Sequence, residues 1–481
     1  MDIFFICLGA LLLLLVAVIL IRTLCFKPRA VAAPLPSDTD FDAERATKCL
    51  QELVRFRTVS YDNPSFEDKS QFDALINALP SLYPDVFEKC ERIDIDARAI
   101  LLKWSGKNDT PAPASVLMAH FDVVPVDEGG WEKPPFDAII ENGVLWGRGT
   151  LDTKATLNGA LFGVDTLIKR GFVPEHDVYL AFSGNEEING GGAPAIVDYF
   201  EKNSIEIGLV LDEGGAVCEN VFPGVKRACG MIGIAEKGML NAEYKLKSNG
   251  GHASAPKPRS LIGRLSDACA RVERHPFKMR ISSGASQMFD TLGRHSGFAY
   301  RMIFANLWAF GWIINLLGKK SGGELNAIIR TTVAFTQADG SSAPNVLPTE
   351  ARFISNMRLN PGDTVESALS YLRKTVKNPD IEISAIHGND PSRISRTDCD
   401  EYKKVAEAVS STWQDAIVTP YIMVQCSDSR HYGRISDRVY RFSAMDLTLE
   451  ERRSIHANNE KIRLEAIAKS CEFYINLIKK L

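Results

Sequence analysis

Eight histidines occur in the 481 residues, and one of them, His120, stands two before Asp122 at the end of the apolar run Ser115-Val-Leu-Met-Ala-His-Phe-Asp122. Alternation along a strand points positions 120 and 122 to the same side. A carboxylate beside a metal-bound imidazole orients the ring and raises its basicity. His120 therefore reads as a ligand and Asp122 as its support. Three more acidic clusters close apolar or Gly-rich runs: Asp152 in Gly147-Arg-Gly-Thr-Leu-Asp-Thr-Lys154, Glu186-Glu187 after Val178–Phe182, and Asp212-Glu213 after Ile207–Leu211. Gly147 and Gly149 permit close backbone approach. Adjacent Glu186 and Glu187 side chains must diverge, so one can bind metal while the other holds a proton. Strand ends of an open α/β sheet are where such sites are built, and imidazole with carboxylates suits a divalent cation. Any one of these acids alone is equally explained as a helix cap or a solvated loop residue. His176, His275, His295 and His387 lack partner motifs and read as surface or packing residues.

The elements that must position these groups follow from periodicity. Apolar residues at helical spacing mark 41–57, 71–82, 157–170 and 193–200, and short apolar runs bounded by Gly, Asn and Pro mark strands at 99–104, 116–119, 178–182 and 207–211. Strands alternating with helices predict a mostly parallel α/β sheet covered on both faces. From about residue 232 the pattern becomes strand 241–248, helix 258–274, strands 327–336 and 351–359, helix 364–377 and strand 381–385. That order is the split βαβ, ferredoxin-like unit, expected as an inserted domain over 232–390. The α/β pattern resumes with helix 400–413, strands 417–423 and 438–442, and a long helix 461–480, so the first domain is expected in two parts, 41–231 and 391–481.

Composition sets bounds. A hydrophobic content of 45% with 24% charged residues is that of a globular protein, and a net charge of −4 gives no electrostatic footprint for nucleic acid. The ten cysteines contain no Cys-x-x-Cys pair, which argues against a thiolate zinc site or a redox motif. Residues 3–21 form an apolar run long enough to span a bilayer, preceded by Asp2 and no basic residue. A signal peptide wants a basic start and a shorter apolar core, so residues 1–29 read as a retained anchor, although Ala30-Val-Ala-Ala33 is a candidate cleavage run. Arg22, Lys27 and Arg29 on the C-terminal flank favour a cytoplasmic body by the positive-inside rule. Residues 30–40, with Pro34 and Pro36, read as a linker. A second apolar stretch, Phe298–Gly318, is interrupted by Arg301, Asn306 and Asn315. It reads as an apolar lid helix or as an apolar surface for a fatty substrate or a bilayer.

In their order, His-x-Asp-Val-Val-Pro, Gly-Arg-Gly-x-x-Asp-x-Lys, Glu-Glu and Leu-Asp-Glu-Gly-Gly resemble the dinuclear zinc exopeptidases of the aminoacylase, acetylornithine deacetylase and glutamate carboxypeptidase family. The likeness runs from about Phe41 to the C-terminus. Asn326-Ala-Ile-Ile-Arg-Thr-Thr332 and Ser427-Asp-Ser-Arg-His-Tyr432 resemble the branch with yeast vacuolar Gly-Xaa carboxypeptidase and the vertebrate N-fatty-acyl-amino-acid hydrolase/synthase. The resemblance implies two Zn²⁺ per subunit. His120 and Asp212 would hold one, Glu187 and His456 the other, and Asp152 would bridge them. His456 lies in Ile455-His-Ala-Asn-Asn-Glu460, matching the family's His-x-x-Asn-Glu. Glu186 would be the general base and Asp122 would support His120. The inserted domain would be a lid and a dimerisation surface. His252, in Asn249-Gly-Gly-His-Ala-Ser-Ala-Pro256, would stabilise the oxyanion, commonly of the partner subunit. Asn345 resembles a lid asparagine that touches substrate, Arg430 an arginine that grips a substrate carboxylate, and Arg358 is a second candidate for that task. Ser427 stands where Thr is expected and Cys426 where Gly is expected, departures that fall on the substrate pocket.

The leading expectation is thus a membrane-anchored, zinc-dependent amidohydrolase or carboxypeptidase for Gly-Xaa peptides or N-acyl amino acids. Other divalent metals suit the same donors. A deacylase of a biosynthetic N-acyl intermediate is the alternative within this chemistry, and a non-catalytic membrane-tethered binding module the alternative outside it.

Overall fold

A computed structural model describes residues 2–29, 34–108, 112–222 and 224–481; the candidate cleavage run Ala30–Ala33, and with it the first part of the expected linker, lies outside them. Seventeen strands occur among the described residues. In chain order the first eight are β1 (Glu91–Ile95), β2 (Ala99–Trp104), β3 (Ala114–His120), β4 (Ile139–Glu141), β5 (Val144–Trp146), β6 (Val178–Ser183), β7 (Ile207–Cys218) and β8 (Cys229–Glu236). Then come β9 (Gly238–Lys247), β10 (Gly251–His252), β11 (Thr332–Asp339), β12 (Val346–Leu347), β13 (Glu350–Leu359) and β14 (Glu382–Asn389). Last are β15 (Ile417–Met423), β16 (Val439–Leu447) and β17 (Lys461–Arg463).

The main sheet has eight strands in the order β1-β2-β6-β3-β7-β16-β8-β15. Its centre, β6-β3-β7-β16, is parallel. The sheet as a whole is mixed, which corrects the mostly parallel expectation: β1, β2 and β6 pair antiparallel, as do β8 and β16. The central strands are buried along their length, all seven residues of β3 and all six of β6 among them. Near-continuous apolar runs are what strands covered on both faces require. On one face the helices Lys154–Lys169 and Leu464–Ile478 pack closely. A Cβ on Gly159 would sit 2.8 Å from the Tyr474 ring and 2.5 Å from Ser470 Oγ, so only glycine fits there.

The second sheet is antiparallel, in the order β11-β13-β9-β14. Helices Leu261–Arg274 and Val365–Val376 cover it, and Leu265, Val272, Leu369 and Leu372 form a core of their own with Leu240, Tyr244 and Met357. The segment expected as one insertion divides between two cores. Residues 232–236 complete β8 in the main sheet. Met288, Phe289, Leu292, Phe304, Ile314 and Ile329, on the helices between 283 and 329, join the main core.

Two local expectations are corrected. Ala327–Ile329 ends a helix, Gly323–Ile329, instead of opening a strand. Lys461–Arg463 is strand β17, paired with β5 through Lys461–Trp146, Ile462–Leu145 and Arg463–Val144, and the long helix starts only at Leu464. Among the described residues one unbroken helix, Ile3–Cys25, is long and apolar enough to cross a bilayer.

Candidate metal centre

The parallel strands deliver their C-terminal ends to one edge, and the chemistry gathers there. His120 closes β3, Glu186 and Glu187 follow β6, and Asp212 and Glu213 lie within β7. His120 Nε2 is 3.0 Å from Asp152 Oδ1 and 3.3 Å from Glu213 Oε1. His456 Nε2 is 3.0 Å from Asp152 Oδ2 and 3.3 Å from Glu187 Oε2. Asp152 thus presents one oxygen to each of two imidazoles, and each imidazole meets a second carboxylate.

Asp122 organises this arrangement from behind. Its two carboxylate oxygens accept from the backbone N–H groups of Glu186, at 3.1 Å, and Glu187, at 3.2 Å. Its carbonyl lies 3.0 Å from His120 Nδ1, and its Oδ1 3.4 Å. An Nδ1–H donating to Asp122 leaves the Nε2 lone pair facing Asp152 and Glu213.

The family resemblance implies Asp212 beside His120, but the geometry sets Glu213 there. Opposite β16 the register is regular to Asp212–Arg441 and resumes at Gly215–Phe442, so Glu213 and Gly214 bulge from the strand. A bulge re-aims side chains, and this one turns Glu213 inward. Gly214 has φ 138°, and a Cβ on Gly215 would lie 1.8 Å from the Met231 carbonyl oxygen. Asp212 instead accepts from the Ser429 N–H at 2.9 Å and holds the loop after β15.

Asp152 and His456 are brought together by Glu460. Its carboxylate accepts from Arg148 at 2.7 Å and from the N–H groups of Gly149, Leu151 and Asp152, at 3.1, 2.6 and 3.3 Å. The Arg148–Glu460 pair is fully enclosed. The β5–β17 pairing sutures the same two segments. His456 itself is left-handed, with φ 60°.

The electrostatics of the cluster call for a cation. Burial raises the Glu213 carboxyl to about 8, with Asp152 adding to the shift, and pushes Glu186 well above its ordinary value. Burial opposes charge on His120, but the Glu213 charge and hydrogen bonds to Asp122, Asp152 and Glu213 lift it well above the usual imidazole range. Hydrogen bonds to Asp152 and Glu187 bring His456 up to about 10. Glu187 Oε1 is buried without a hydrogen-bond partner among the described residues. Two groups, His120/Asp152/Glu213 and Asp152/Glu187/His456, each gather their donor atoms within 4.8 Å of one another. Imidazole nitrogens and carboxylate oxygens converging with an orphaned acceptor fit a pair of divalent ions sharing Asp152.

The remaining expected residues fall into two groups. Arg430 donates to the Ser427 carbonyl at 2.8 Å and to Asn189 at 3.1 Å, and Arg358 reaches Cys426 Sγ at 3.5 Å, so both guanidinium groups flank Cys426–Ser427. His252 and Asn345 share a small ribbon of the second sheet region. His252 pairs with Val346, and the Ala253 N–H donates to the Asn345 carbonyl at 3.0 Å. His252 Nδ1 lies 2.7 Å from Ser254 Oγ, and the imidazole is exposed.

Spacing alone did not find Glu236 or Asp428. Buried Glu236 accepts from the Ser427 N–H and from Ser427, Ser429 and Arg441 side chains, fixing the loop that bears Arg430. Asp428 bonds Ser183 at the end of β6, and burial brings its carboxyl to about 7. The signal for Glu236 was an acid closing an unbroken apolar strand.

The sequence profile of peptidase family M20/M25/M40 matches residues 116–480. An N-fatty-acyl-amino acid synthase/hydrolase of Xenopus tropicalis is 31% identical over 479 residues, covering 97% of this chain and 93% of that protein. A probable carboxypeptidase S-like protein of Dictyostelium discoideum is 31% identical over 448 residues, covering 91% and 85%. Among solved structures, an M20 family metallo-carboxypeptidase of Sulfolobus solfataricus superposes with a TM-score of 0.66 at 19% identity, over 90% of this chain and 98% of that one. Human carnosine dipeptidase 1 gives 0.65 at 14%, over 92% and 97%.

Proposed function

This chain belongs to peptidase family M20/M25/M40 and is a metal-dependent hydrolase, and on that premise we propose that it cleaves the amide bond next to a free amino-acid carboxylate, in Gly-Xaa-type peptides or N-acyl amino acids. The observation that carries the reading is the Asp152 carboxylate set between His120 and His456, with Glu186 alongside. We assign His120, Asp152 and Glu213 to one zinc ion and Asp152, Glu187 and His456 to the other, with Glu213 in the place expected for Asp212. Bound there, two divalent cations supply Lewis acidity to the scissile carbonyl and to the attacking water.

The chain's own groups do the rest. Glu186 takes a proton from the attacking water and delivers it to the leaving nitrogen. Its carboxyl is already raised by burial and by the charges of Asp428, Glu213 and Glu187, which suits a group that must both accept and release. Asp122 keeps Glu186 and Glu187 divergent by holding both backbone amides. Arg430, with Arg358 beside it, offers its fork to the substrate carboxylate. The second sheet acts as a lid. His252, with Nδ1 engaged by Ser254, keeps Nε2 for the developing oxyanion, and Asn345 travels on the same ribbon. A dimer through the lid is part of this proposal.

The N-terminal helix is proposed as a retained anchor. Its last turns are built into the body: Arg22 donates to the Ala305 carbonyl at 3.0 Å, and Asn306 donates to the Ile19 carbonyl and to Thr23 at 3.3 and 3.2 Å. These bonds support the reading of a segment that stays with the body.

The deciding experiment is a hydrolysis panel of Gly-Xaa dipeptides against long-chain N-acyl amino acids, run with zinc on the full chain and on Glu186→Gln. Release of the free amino acid by the parent chain and its loss in the variant are expected. Turnover of neither class, or an unaffected variant, would overturn the assignment.

A further inference from the structure

A surface helix of a globular protein buries its apolar stripe and turns charge to water. The Leu307–Ser321 helix does otherwise. Ile314 and Gly318 face the body, while Trp308, Trp312 and Leu316 point outward at 59%, 64% and 56% exposure. These three stand four residues apart and so form one stripe along the helix. The preceding helix, Phe298–Ala305, adds Phe298 and Tyr300 to the exposed apolar surface. The two helices are bent by 114° at Asn306, so they do not form one straight span. Lys319 and Lys320 close the second helix, in its exposed last turn.

The bend is also where the N-terminal helix arrives. Asn306 is buried and donates to the Ile19 carbonyl and to Thr23 Oγ1, while Arg22 donates to the carbonyl of Ala305. Phe26, just beyond, packs against the main core under Arg294. At about 1.5 Å per residue, residues 3–21 fill a hydrocarbon layer of about 30 Å. The turns that bond Asn306 then lie at headgroup level, and so does the helix that starts at the next residue. Exposed tryptophans and terminal lysines are the residues that settle at that depth.

We propose that the Leu307–Ser321 helix lies in the headgroup–acyl boundary of the bilayer crossed by the N-terminal helix, with Trp308, Trp312 and Leu316 inserted. The body is then held at two points and cannot swivel on a tether. This rests on the reading of the N-terminal helix as a retained anchor.

The test uses the full-length chain reconstituted in phosphatidylcholine vesicles with brominated acyl chains, beside Trp308→Gln/Trp312→Gln. Two of the chain's six tryptophans are removed in the variant. Bromolipid should quench up to about one third of the parent emission on equal contributions per Trp and almost none of the variant's, while both chains hydrolyse a soluble substrate alike. Equal quenching of parent and variant in chains that float with the vesicles would overturn the docking and leave the anchor standing. So would an unquenched parent that floats with the vesicles, since its stripe would not reach the acyl chains. A chain that does not float with vesicles overturns the anchor reading and this proposal together.

Discussion

Glu213 and Asp212 are chain neighbours with different surroundings, and metal content separates them. Glu213→Ala is expected to lose about one of two bound ions by atomic emission, because it removes a carboxylate facing His120. Asp212→Asn is expected to keep both, since its carboxylate holds the Ser429 N–H. The reverse result would return the ligand role to Asp212. Glu186→Gln should lower kcat by about 10²- to 10⁴-fold, the usual worth of a positioned general base, with metal content unchanged. His120, Asp122, Asp152 and the Glu186-Glu187 pair stood out as residue types at the ends of runs, His456 entered only through the family resemblance, and the structure brings these segments together. The choice between 212 and 213 was not legible, because a bulge breaks the alternation on which strand reading depends. Its only trace in the sequence was the Gly214-Gly215 pair.

At the scale of elements, Glu460 tests how the turn bearing Asp152 is held. Removing its carboxylate leaves Arg148 enclosed and unpaired, and breaking a buried pair from one side costs about 3–5 kcal/mol. Glu460→Ala should show that loss in chemical denaturation together with weakened metal binding. Lys237 gives a pH signature. Its ammonium donates to the carbonyls of Ala327 and Arg330, and burial pushes its pKa from 10.5 down to about 7. Between those values the unfolded chain binds more protons than the folded one, so this group's contribution to stability rises with pH across the window. The stability of the parent relative to Lys237→Met should therefore increase from pH 7 toward 10.5, and a flat difference would refute the assignment. Helices with a clean 3.6-residue period were readable to within a few residues. Residues 327–329 and 461–463 were not, because segments of three residues take strand or helix according to their partners. Lys461–Arg463 becomes a strand only because Val144–Trp146 lies open to pair with it.

For the whole molecule, the clustered acids make stability depend on metal. Stripping with a chelator should lower the melting temperature and abolish hydrolysis, and zinc should restore both. An ion held at about a hundred times its Kd adds about 2.7 kcal/mol. A melting temperature indifferent to zinc would contradict the proposed centre. The two-sheet architecture was legible from the order of elements. The antiparallel margins of the main sheet were not, since periodicity reports burial and not strand direction. Nor was the division of residues 232–390 between two cores, which depends on contacts made far along the chain.

The suture between β5 and β17 has a consequence for how the enzyme is made. The Asp152 turn is synthesised first, and the Glu460 carboxylate that clamps it comes 309 residues after Leu151, whose N–H it accepts. Until those residues are made, the Asp152 turn has neither His456 nor Glu460 beside it. The centre is completed only after residues 456–463 have been made, so metal insertion follows their synthesis, and a chain cut before His456 lacks a ligand of the proposed centre.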